Sequence, residues 1–282
     1  MKYSDFKIKG KEKILDLVTG AVPVLRFPLF PEDMVEHCFT TREGGVSKGI
    51  YESMNLSFTR GDDEADVRKN YERIARFFGK KAEDIVCSDQ THTTNVLRVG
   101  RESAGCGVTR ERTYTDIDGL ITDEPGVILA TFYADCVPLF FVDPVHRAIG
   151  LSHSGWRGTV GRMGQVTLEA MHREIGTNAG DVFAAVGPSI CQECYEVSED
   201  VMSAFAEEFS GHEDEIIRDQ GNGKYLLDLW KSNEIVLTEA GIQRDHLAVT
   251  NICTCCNPSL LFSHRASHGK RGNLGAFMML RE

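Results

Sequence analysis

One thiol and two imidazoles of this chain stand at or near the ends of apolar segments. Cys136 follows the apolar residues 127–133, His153 follows residues 148–152, and His92 lies upstream in a polar segment. Two histidines, one cysteine and an open fourth position are the ligand pattern of a catalytic zinc site, whereas a structural site uses four protein ligands. A metal held in this way lowers the pKa of a water molecule to about 7. These three residues, called the trio, therefore predict a metal-dependent catalytic centre.

Each member of the trio also has an ordinary structural explanation. A cysteine at the start of an apolar strand commonly packs as a small hydrophobic residue, and a histidine at a strand end is most often a hydrogen-bonded structural residue. The surroundings of His153 favour a role in a functional site, because Gly155 and Gly158 permit a ligand to approach closely and the Trp156-Arg157 pair follows directly. The metal site is therefore predicted from the three residues together and from none of them alone.

Five other cysteines compete for a metal in the second half of the chain. Cys191 and Cys194 form a C-x-x-C sequence, and Cys253, Cys255 and Cys256 form a second group far downstream. The two groups together could supply a structural zinc site with four cysteine ligands, but the gap between them far exceeds the spacing of a zinc ribbon. We therefore expect these cysteines to remain reduced thiols that share no metal.

The composition of the 282-residue chain is that of an ordinary globular protein, with 41% hydrophobic and 26% charged residues. Its formal net charge of -11 argues against a protein that binds nucleic acid or an anionic membrane, because such proteins present a basic face. An anionic ligand such as phosphate would therefore need a local basic pocket.

The location of the protein is predicted from its N-terminus and its cysteines. Residues 1–18 interleave lysines with acidic residues and lack the apolar core of a signal peptide. The most apolar stretch, residues 127–142, is interrupted by Asp135 and Pro138 and is too short to span a bilayer. Nine cysteines, an odd number without a secretion signal, favour reduced thiols over disulfides. We therefore expect a cytoplasmic protein.

The elements that must position these residues alternate irregularly along the chain. Apolar residues at helical spacing predict helices over residues 63–79, 159–175, 199–209 and 229–240. Apolar β-rich runs predict two strands between residues 84 and 99, and others over 119–122, 127–133, 137–142, 148–152, 182–186, 247–252, 260–263 and 275–280. No linker or repeat divides the chain, so we predict one α+β domain over residues 1–282, with mixed β-sheets sandwiched by helices.

A candidate anion site accompanies the second predicted helix. Thr159 can cap that helix, and Arg157 stands just before it. The free backbone N–H groups at the start of a helix bind anions. We therefore expect Arg157 and this helix start to hold an anion such as phosphate.

The sequence signatures of several enzyme classes are absent. The chain has no G-x-x-x-x-G-K-[ST], no G-x-S-x-G and no strand-embedded G-x-G-x-x-G. It also lacks the P-C-x-x-C motif that accompanies H-x-E in the nucleobase zinc deaminases. Repeated His-x-His pairs, which a multicopper oxidase should show, do not occur.

Short segments in a fixed order cover most of the chain and together carry a family resemblance. They are Phe39-Thr-Thr-Arg42-Glu-Gly-Gly45-Val-Ser47, Ser53-Met-Asn55-Leu56, Gly61-Asp62-Asp63, Gln90-Thr-His92, Thr115-Asp-Ile-Asp-Gly119, Ala134-Asp-Cys136-Val-Pro138, His153-Ser-Gly-Trp-Arg-Gly158, Gly187-Pro-Ser-Ile190, Cys194-Tyr-Glu-Val197 and Phe262-Ser-His-Arg265. In this order they resemble the laccase-domain family, whose members have been described as polyphenol oxidases and as purine nucleoside phosphorylases with adenosine deaminase activity. Bacterial members are also described as a peptidoglycan editing factor.

The resemblance implies that the trio is catalytic and binds zinc, with Cu²⁺ as a possible substitute. It also implies that purine nucleosides and phosphate are the partners, and that adenosine and inosine are cleaved by phosphate. S-methyl-5′-thioadenosine is a further candidate substrate, and adenosine would also be deaminated. Arg42 and Asn55 lie on loops that could close over a nucleoside, and Arg157 could hold phosphate, so these three residues are the candidate substrate contacts.

The chain departs from the family pattern at two places. Thr93 stands where the family usually has a glycine after the first histidine. Arg265-Ala266 and residues 272–275 stand where the family usually has R-R and then T-G-R. The shape of the first loop, and any substrate contact from the second segment, are therefore not carried over.

Other functions stay open beside the nucleoside enzyme. In a cysteine hydrolase acting on a peptide or muropeptide precursor, Cys136 would be the nucleophile and His153 the base. In a binding or scaffold protein, a zinc ion held by four cysteines would stabilise the fold. Polyphenol oxidation is expected only as a side activity of copper-loaded protein, since Cu²⁺ binds nitrogen and sulfur ligands at least as well as zinc does.

Overall fold

The computed structural model describes residues 1–282, the whole chain. The helices are α1 (Glu64–Phe77), α2 (Trp156–Val160), α3 (Met163–Ile175), α4 (Glu199–Glu208), α5 (Glu213–Ile216) and α6 (Leu229–Glu239). The strands are β1 (Asp16–Val18), β2 (Val24–Arg26), β3 (Val35–Thr40), β4 (Ile85–Cys87), β5 (Val96–Arg98), β6 (Gly119–Thr122), β7 (Ile128–Tyr133), β8 (Val137–Asp143), β9 (Ala148–Ser154), β10 (Phe183–Val186), β11 (Glu196–Ser198), β12 (Ile217–Gly221), β13 (Lys224–Leu227), β14 (Leu247–Val249) and β15 (Leu274–Leu280). No helix has both the length and the apolar composition that crossing a membrane requires.

Two mixed six-stranded sheets form the framework of the molecule. The first has the strand order β1-β2-β3-β15-β7-β4, with β4 parallel to β7 and the other pairs antiparallel. The second has the order β14-β10-β8-β9-β6-β5, with β10–β14 and β5–β6 parallel and the other pairs antiparallel. A small antiparallel sheet has the order β11-β13-β12.

Alternating side chains arrange these sheets and the helices into layers, because successive residues of a strand point to opposite faces. Along β8, Phe140 and Val142 belong to the hydrophobic cluster shared with the first sheet. Leu139 and Phe141 belong instead to a cluster shared with α3 and α6. Tyr71 and its neighbours on α1 pack against the other face of the first sheet. The layer order is therefore helix, sheet, sheet, helix, which confirms the predicted α+β fold with mixed sheets between helices.

Helix α1 forms where the sequence predicted a helix. Asp63 is its N-cap, and the Asp63 carboxylate accepts a hydrogen bond from the Ala65 N–H at 2.8 Å. Val67 and Tyr71, at helical spacing, are buried against the first sheet. Gly79 has a φ of 67°, a left-handed conformation that glycine adopts readily, and it lies just beyond the end of the helix.

The prediction of one helix running from Thr159 to residue 175 was wrong. Helix α2 already begins at Trp156, and the chain breaks at Arg162, which has a left-handed φ of 56°. Helix α3 starts at the next residue. The Thr159 hydroxyl donates to the Gly155 carbonyl at 3.0 Å from inside α2, and it does not cap a helix. The helix start beside Arg157 is therefore that of α2, at Trp156, and not that of a helix beginning at Thr159.

Several short elements were also missed or misassigned. Residues 260–263, predicted as a strand, leave a turn and continue as irregular backbone, and the Leu261 N–H donates to the Asn257 carbonyl at 2.9 Å. Strands β1, β2 and β3, the small sheet and α5 were not predicted. Each of these elements has only three to six residues, too few to show a clear period.

Buried His37 in β3 should make the stability of the fold depend on pH. Burial lowers the pKa of His37 to about 3, and its Nε2 accepts the Phe27 N–H at 2.8 Å. An unfolded histidine has a pKa of about 6.5, so the unfolded chain binds the extra proton and stability is lost as the pH falls below that value. Between pH 7.5 and pH 5, His37 should lower the free energy of unfolding by about 2 kcal/mol.

Urea denaturation at the two pH values measures this effect. His37→Gln keeps a hydrogen-bond acceptor but does not titrate, so the variant should lose about 2 kcal/mol less than the wild type over the same range. An equal loss in both proteins would show that His37 is not the source.

Candidate metal centre

The structure brings His92, Cys136 and His153 together. Cys136 lies in the loop from β7 to β8, His153 lies in β9, and His92 lies in the loop between β4 and β5. The ligand atoms of the three side chains lie within 4.8 Å of one another. With zinc–nitrogen bonds of about 2.0–2.1 Å and a zinc–sulfur bond of about 2.3 Å, tetrahedral ligand atoms are roughly 3.3–3.8 Å apart. Small movements that bring the three ligand atoms closer together would therefore give the distances that a bound metal ion requires.

The loop that carries Cys136 crosses from the first sheet to the second. Asp135, the residue before it, has a left-handed φ of 87°, which is uncommon for a residue other than glycine. The Asp135 carboxylate accepts hydrogen bonds from the Thr254 hydroxyl at 2.6 Å and from the Arg265 N–H at 2.7 Å. These two bonds hold the turn in the conformation that presents Cys136.

The fully buried carboxylate of Asp118 positions both histidines. It accepts the backbone N–H groups of Thr91, His92 and Thr93 at 2.9–3.1 Å and the Thr93 hydroxyl at 3.0 Å. It also pairs with Nδ1 of His153 at 2.7 Å. A histidine whose Nδ1–H is held by a carboxylate presents Nε2 to a metal. Asp118 therefore fixes the loop of one ligand and the ring orientation of the other.

The charges of the site favour the ligand form of Cys136. Burial opposes ionisation of its thiol, but the imidazoles of His153 and His92 outweigh burial and lower the pKa of Cys136 to about 6. Burial likewise opposes protonation of His153, yet Cys136 and Asp118 raise the pKa of His153 to about 9. The thiolate, which is the form that binds metals, is therefore stabilised at neutral pH.

Two residues outside the trio allow it to converge. A Cβ atom on Gly155 would lie 2.9 Å from Cδ2 of His92 and 3.2 Å from Sγ of Cys136, so only glycine leaves both side chains in place. Gln90 ties the His92 loop to β7: its amide donates to the Phe132 carbonyl at 2.8 Å and accepts the Phe132 N–H at 2.7 Å. Both residues serve the geometry of the site and not its ligand set.

The trio borders a cleft of about 930 Å³, which is in the size range of small-molecule sites. Phe58, Tyr114 and Phe132 line it and supply flat apolar surface. The donor set, the thiolate and the adjoining cleft together fit a metal centre with one position open to a small molecule.

Arginines line another part of the same cleft. Arg68 and Arg112 are each paired with a carboxylate, at 2.6 and 2.8 Å. Arg60 and Arg271 have no carboxylate partner, and Nε of Arg271 is buried without any hydrogen bond. Burial and the nearby charge of Arg60 lower the pKa of Arg271 to about 10. These two guanidinium groups therefore form a positive region that no carboxylate neutralises, although Nη1 of Arg271 donates to Asn273 Oδ1.

The three predicted substrate contacts, Arg42, Asn55 and Arg157, lie in different surroundings. Arg42 donates to two backbone carbonyls, at 2.9 and 2.7 Å, and Asn55 bonds to Asp62 and to two backbone N–H groups. Neither residue lines the cleft; both hold loops, so the geometry does not support them as substrate contacts. Arg157 lines a smaller pocket of about 220 Å³ together with His92 and Cys136, where it stacks on Trp156 at 4.2 Å.

Two residues of the site were not singled out from the sequence. Asp118 stands directly before β6 in Thr115–Gly119, one of the segments that carry the family resemblance, and its place in that segment is the signal that could have drawn attention to it. Arg271 lies in an irregular segment with no recognisable pattern. Its burial and the missing hydrogen-bond acceptor for its Nε are visible only in the fold.

Four of the downstream cysteines, which we expected to share no metal because of the long gap between their two groups, come together in the fold. The Sγ atoms of Cys191, Cys194, Cys253 and Cys256 all lie within 4.8 Å of one another. Parallel pairing of β10 with β14 brings the two segments side by side, which closes the long sequence gap. All nine cysteines of the chain are free thiols.

Comparisons with known proteins give consistent results. The family model described as multi-copper polyphenol oxidoreductase laccase matches residues 36–281. The purine nucleoside phosphorylase YlmD of Bacillus subtilis (strain 168) is 38% identical over 245 residues, which cover 86% of this chain and 88% of that protein. Adenosine deaminase RL5, from an unknown prokaryotic organism, is 33% identical over 82% of this chain and 88% of its own length. The crystal structure of YlmD from Geobacillus stearothermophilus has a TM-score of 0.87 and 34% identity, covering 94% of this chain and 99% of that one.

Removing the charge of Asp118 should weaken metal binding by the trio. In Asp118→Asn the side chain keeps its size but loses the carboxylate that holds Nδ1 of His153 and the His92 loop. We expect the zinc affinity of this site to fall by about 10–100-fold, measured by competition with a chelator.

Asp116→Asn is the matched control for this change. Asp116 lies in the same loop and accepts the Thr91 hydroxyl at 2.8 Å, but its side chain bonds to neither histidine. Asparagine is tolerated at its left-handed φ of 57°, so its zinc affinity should match that of the wild type. Equal affinities in the two variants would contradict the role assigned to Asp118.

Proposed function

The chain belongs to the multi-copper polyphenol oxidoreductase laccase family, and on that premise we propose that it is a zinc-dependent purine nucleoside phosphorylase that also deaminates adenosine. The observation that carries the proposal is the convergence of two imidazoles and one thiolate beside a cleft large enough for a nucleoside. Relatives that bear the names purine nucleoside phosphorylase and adenosine deaminase support the same substrate class.

The two proposed reactions place different demands on the site. In phosphorolysis a phosphate oxygen bonds to C1′ of the ribose while the bond from C1′ to N9 breaks. The purine leaves with the electron pair and takes up a proton. In deamination, water replaces the amino group at C6 and ammonia leaves. Both reactions develop charge that fixed positive groups can stabilise.

We propose that His92, Cys136 and His153 hold the zinc ion. When bound, the metal supplies a Lewis acid with an open coordination position at the cleft. Asp118 keeps Nε2 of His153 directed at the centre, and the turn at Asp135 presents the thiolate. The same donors suit Cu²⁺, so we propose polyphenol oxidation as a side activity of the copper-loaded protein.

The cleft offers separate places for the two substrates. We propose that the purine lies against the aromatic wall of Phe58 and Phe132, and that phosphate binds Arg60 and Arg271. The unpartnered Nε of Arg271 supports this assignment, because a buried donor without an acceptor is costly unless a ligand supplies one. Arg157, in the smaller pocket, is the competing phosphate contact.

One observation favours a second candidate, the cysteine hydrolase acting on a peptidoglycan precursor. Cys136, His153 and Asp118 lie in the order nucleophile, base and orienting carboxylate, the arrangement that activates a cysteine. In this alternative the Cys136 thiolate bonds to an amide carbonyl carbon, the C–N bond breaks as the amine takes a proton from His153, and water then hydrolyses the thioester, all without a metal. Alkylation of Cys136 together with hydrolysis of a muropeptide by metal-free protein would favour it.

Replacing any member of the trio should remove metal and phosphorolysis together. In His92→Ala, Cys136→Ala and His153→Ala, the zinc content should fall by one atom per chain, because each variant lacks a third of the protein ligands of this site. Purine release from inosine and adenosine, followed with and without phosphate on the same preparations, should fall to the uncatalysed rate.

Cys255→Ser is the matched control, since Cys255 is a partly buried thiol that belongs to neither ligand cluster. It should retain both its zinc and its activity. If fully metallated wild-type protein turned over no purine nucleoside, the proposed function would fail and the hydrolase would become the better account.

The phosphate contact can be identified by comparing two arginines. Arg271→Met should raise the KM for phosphate by about 10–100-fold, because a hydrogen bond to a charged group contributes about 1.5–3 kcal/mol. The KM for inosine should stay close to the wild-type value. Arg157→Met should change the KM for phosphate much less, and the reverse order would move the phosphate to the smaller pocket.

A further inference from the structure

We propose that Cys191, Cys194, Cys253 and Cys256 form a second metal site, a structural zinc centre distinct from the trio. Their Sγ atoms share one small volume, with Cys256 3.5 Å from Cys194 and 4.0 Å from Cys191. Four sulfurs at about 2.3 Å from a tetrahedral zinc are roughly 3.8 Å apart. A disulfide would need sulfurs at about 2.05 Å. These two distances therefore match edges of a zinc tetrahedron, and all four sulfurs lie within 4.8 Å of one another.

The sequence spacing supports the same conclusion once the four ligands are known. Residues 191–194 are C-x-x-C, and residues 253–256 are a second C-x-x-C that contains Cys255 as a spacer. Two such pairs are the ligand pattern of structural zinc sites. The pairs follow the ends of β10 and β14, and a bridge between Ser189 and Cys253 extends their parallel pairing up to the cluster. Pairing of β10 with β14 therefore brings the two C-x-x-C pairs together, as a short linker does in a zinc ribbon.

Backbone donors and burial complete the site. The N–H groups of Cys191 and Cys256 point to Sγ of Cys253 at 3.3 and 3.4 Å, and such bonds stabilise a metal-bound thiolate. Cys191 and Cys253 are buried, and the other two ligands are partly buried. Four protein ligands leave no position open, which is the character of a structural site and not of a catalytic one.

The cluster is connected to the loop that presents Cys136. Thr254, inside the second pair, donates to the Asp135 carboxylate at 2.6 Å. Arg265 donates from its backbone to the same carboxylate at 2.7 Å and from its guanidinium to the Cys194 carbonyl at 3.0 Å. A zinc ion in the cluster would therefore fix both groups that hold the turn before Cys136.

The test isolates the second site by removing the first. The full-length double variant His92→Ala/His153→Ala, purified with zinc under reducing conditions, should still hold one zinc per chain. X-ray absorption should show four sulfur ligands at about 2.3 Å. Adding Cys194→Ser should lower the zinc content at least tenfold, whereas adding Cys255→Ser should leave it unchanged.

Each other outcome overturns the proposal. A folded double variant without zinc, a shell containing nitrogen or oxygen, or a disulfide among the four cysteines would exclude the site. If the variant with Cys194→Ser did not fold, titration of the double variant with an organomercurial reagent would replace it. One zinc should then be released as the thiols react, and thiol modification without zinc release would refute the site. Because the trio is disabled throughout, the result is independent of the proposed activity.

Discussion

The carboxylate of Asp118 is the constraint on which the candidate site depends. It is fully buried, and burial of a charge is costly unless hydrogen bonds and opposite charge compensate. Three backbone N–H groups, one hydroxyl and the ring of His153 provide that compensation. Since these donors come from the His92 loop and from β9, satisfying the carboxylate forces two separate parts of the chain into one arrangement. The geometry of both histidines follows from the need to pair a single buried charge.

The third ligand depends on the crossing between the sheets. The turn at Asp135 lies between β7 of the first sheet and β8 of the second, and its left-handed backbone persists only because surrounding groups hold it. Of those groups, Thr254 lies between the clustered cysteines Cys253 and Cys256, and Arg265 lies downstream of them. The cleft, the trio and the cysteine cluster are therefore connected through the loop in which the chain passes from the first sheet to the second.

The sequence predicted features that depend on local pattern and missed those that depend on distant pairing. Helix α1 and strands β7 to β9 were predicted because their apolar spacing is regular, and Cys136 and His153 because they stand at the ends of such elements. The cysteine cluster was rejected on sequence spacing, although parallel pairing of β10 and β14 makes that spacing irrelevant. Arg271 carries no local signal, since its importance lies in a buried Nε that has no hydrogen-bond acceptor. The break at Arg162 between α2 and α3 depends on a single backbone conformation that propensity does not reveal.

The central claim is that the trio holds a metal ion at the cleft. An anomalous difference map, calculated from crystals of the wild-type protein with data collected at the zinc absorption edge, tests it most directly. We expect a peak at about 2.0–2.1 Å from one nitrogen of His92 and from Nε2 of His153, and about 2.3 Å from Sγ of Cys136. Zinc-loaded crystals with a peak at the cysteine cluster and none at the trio would contradict it.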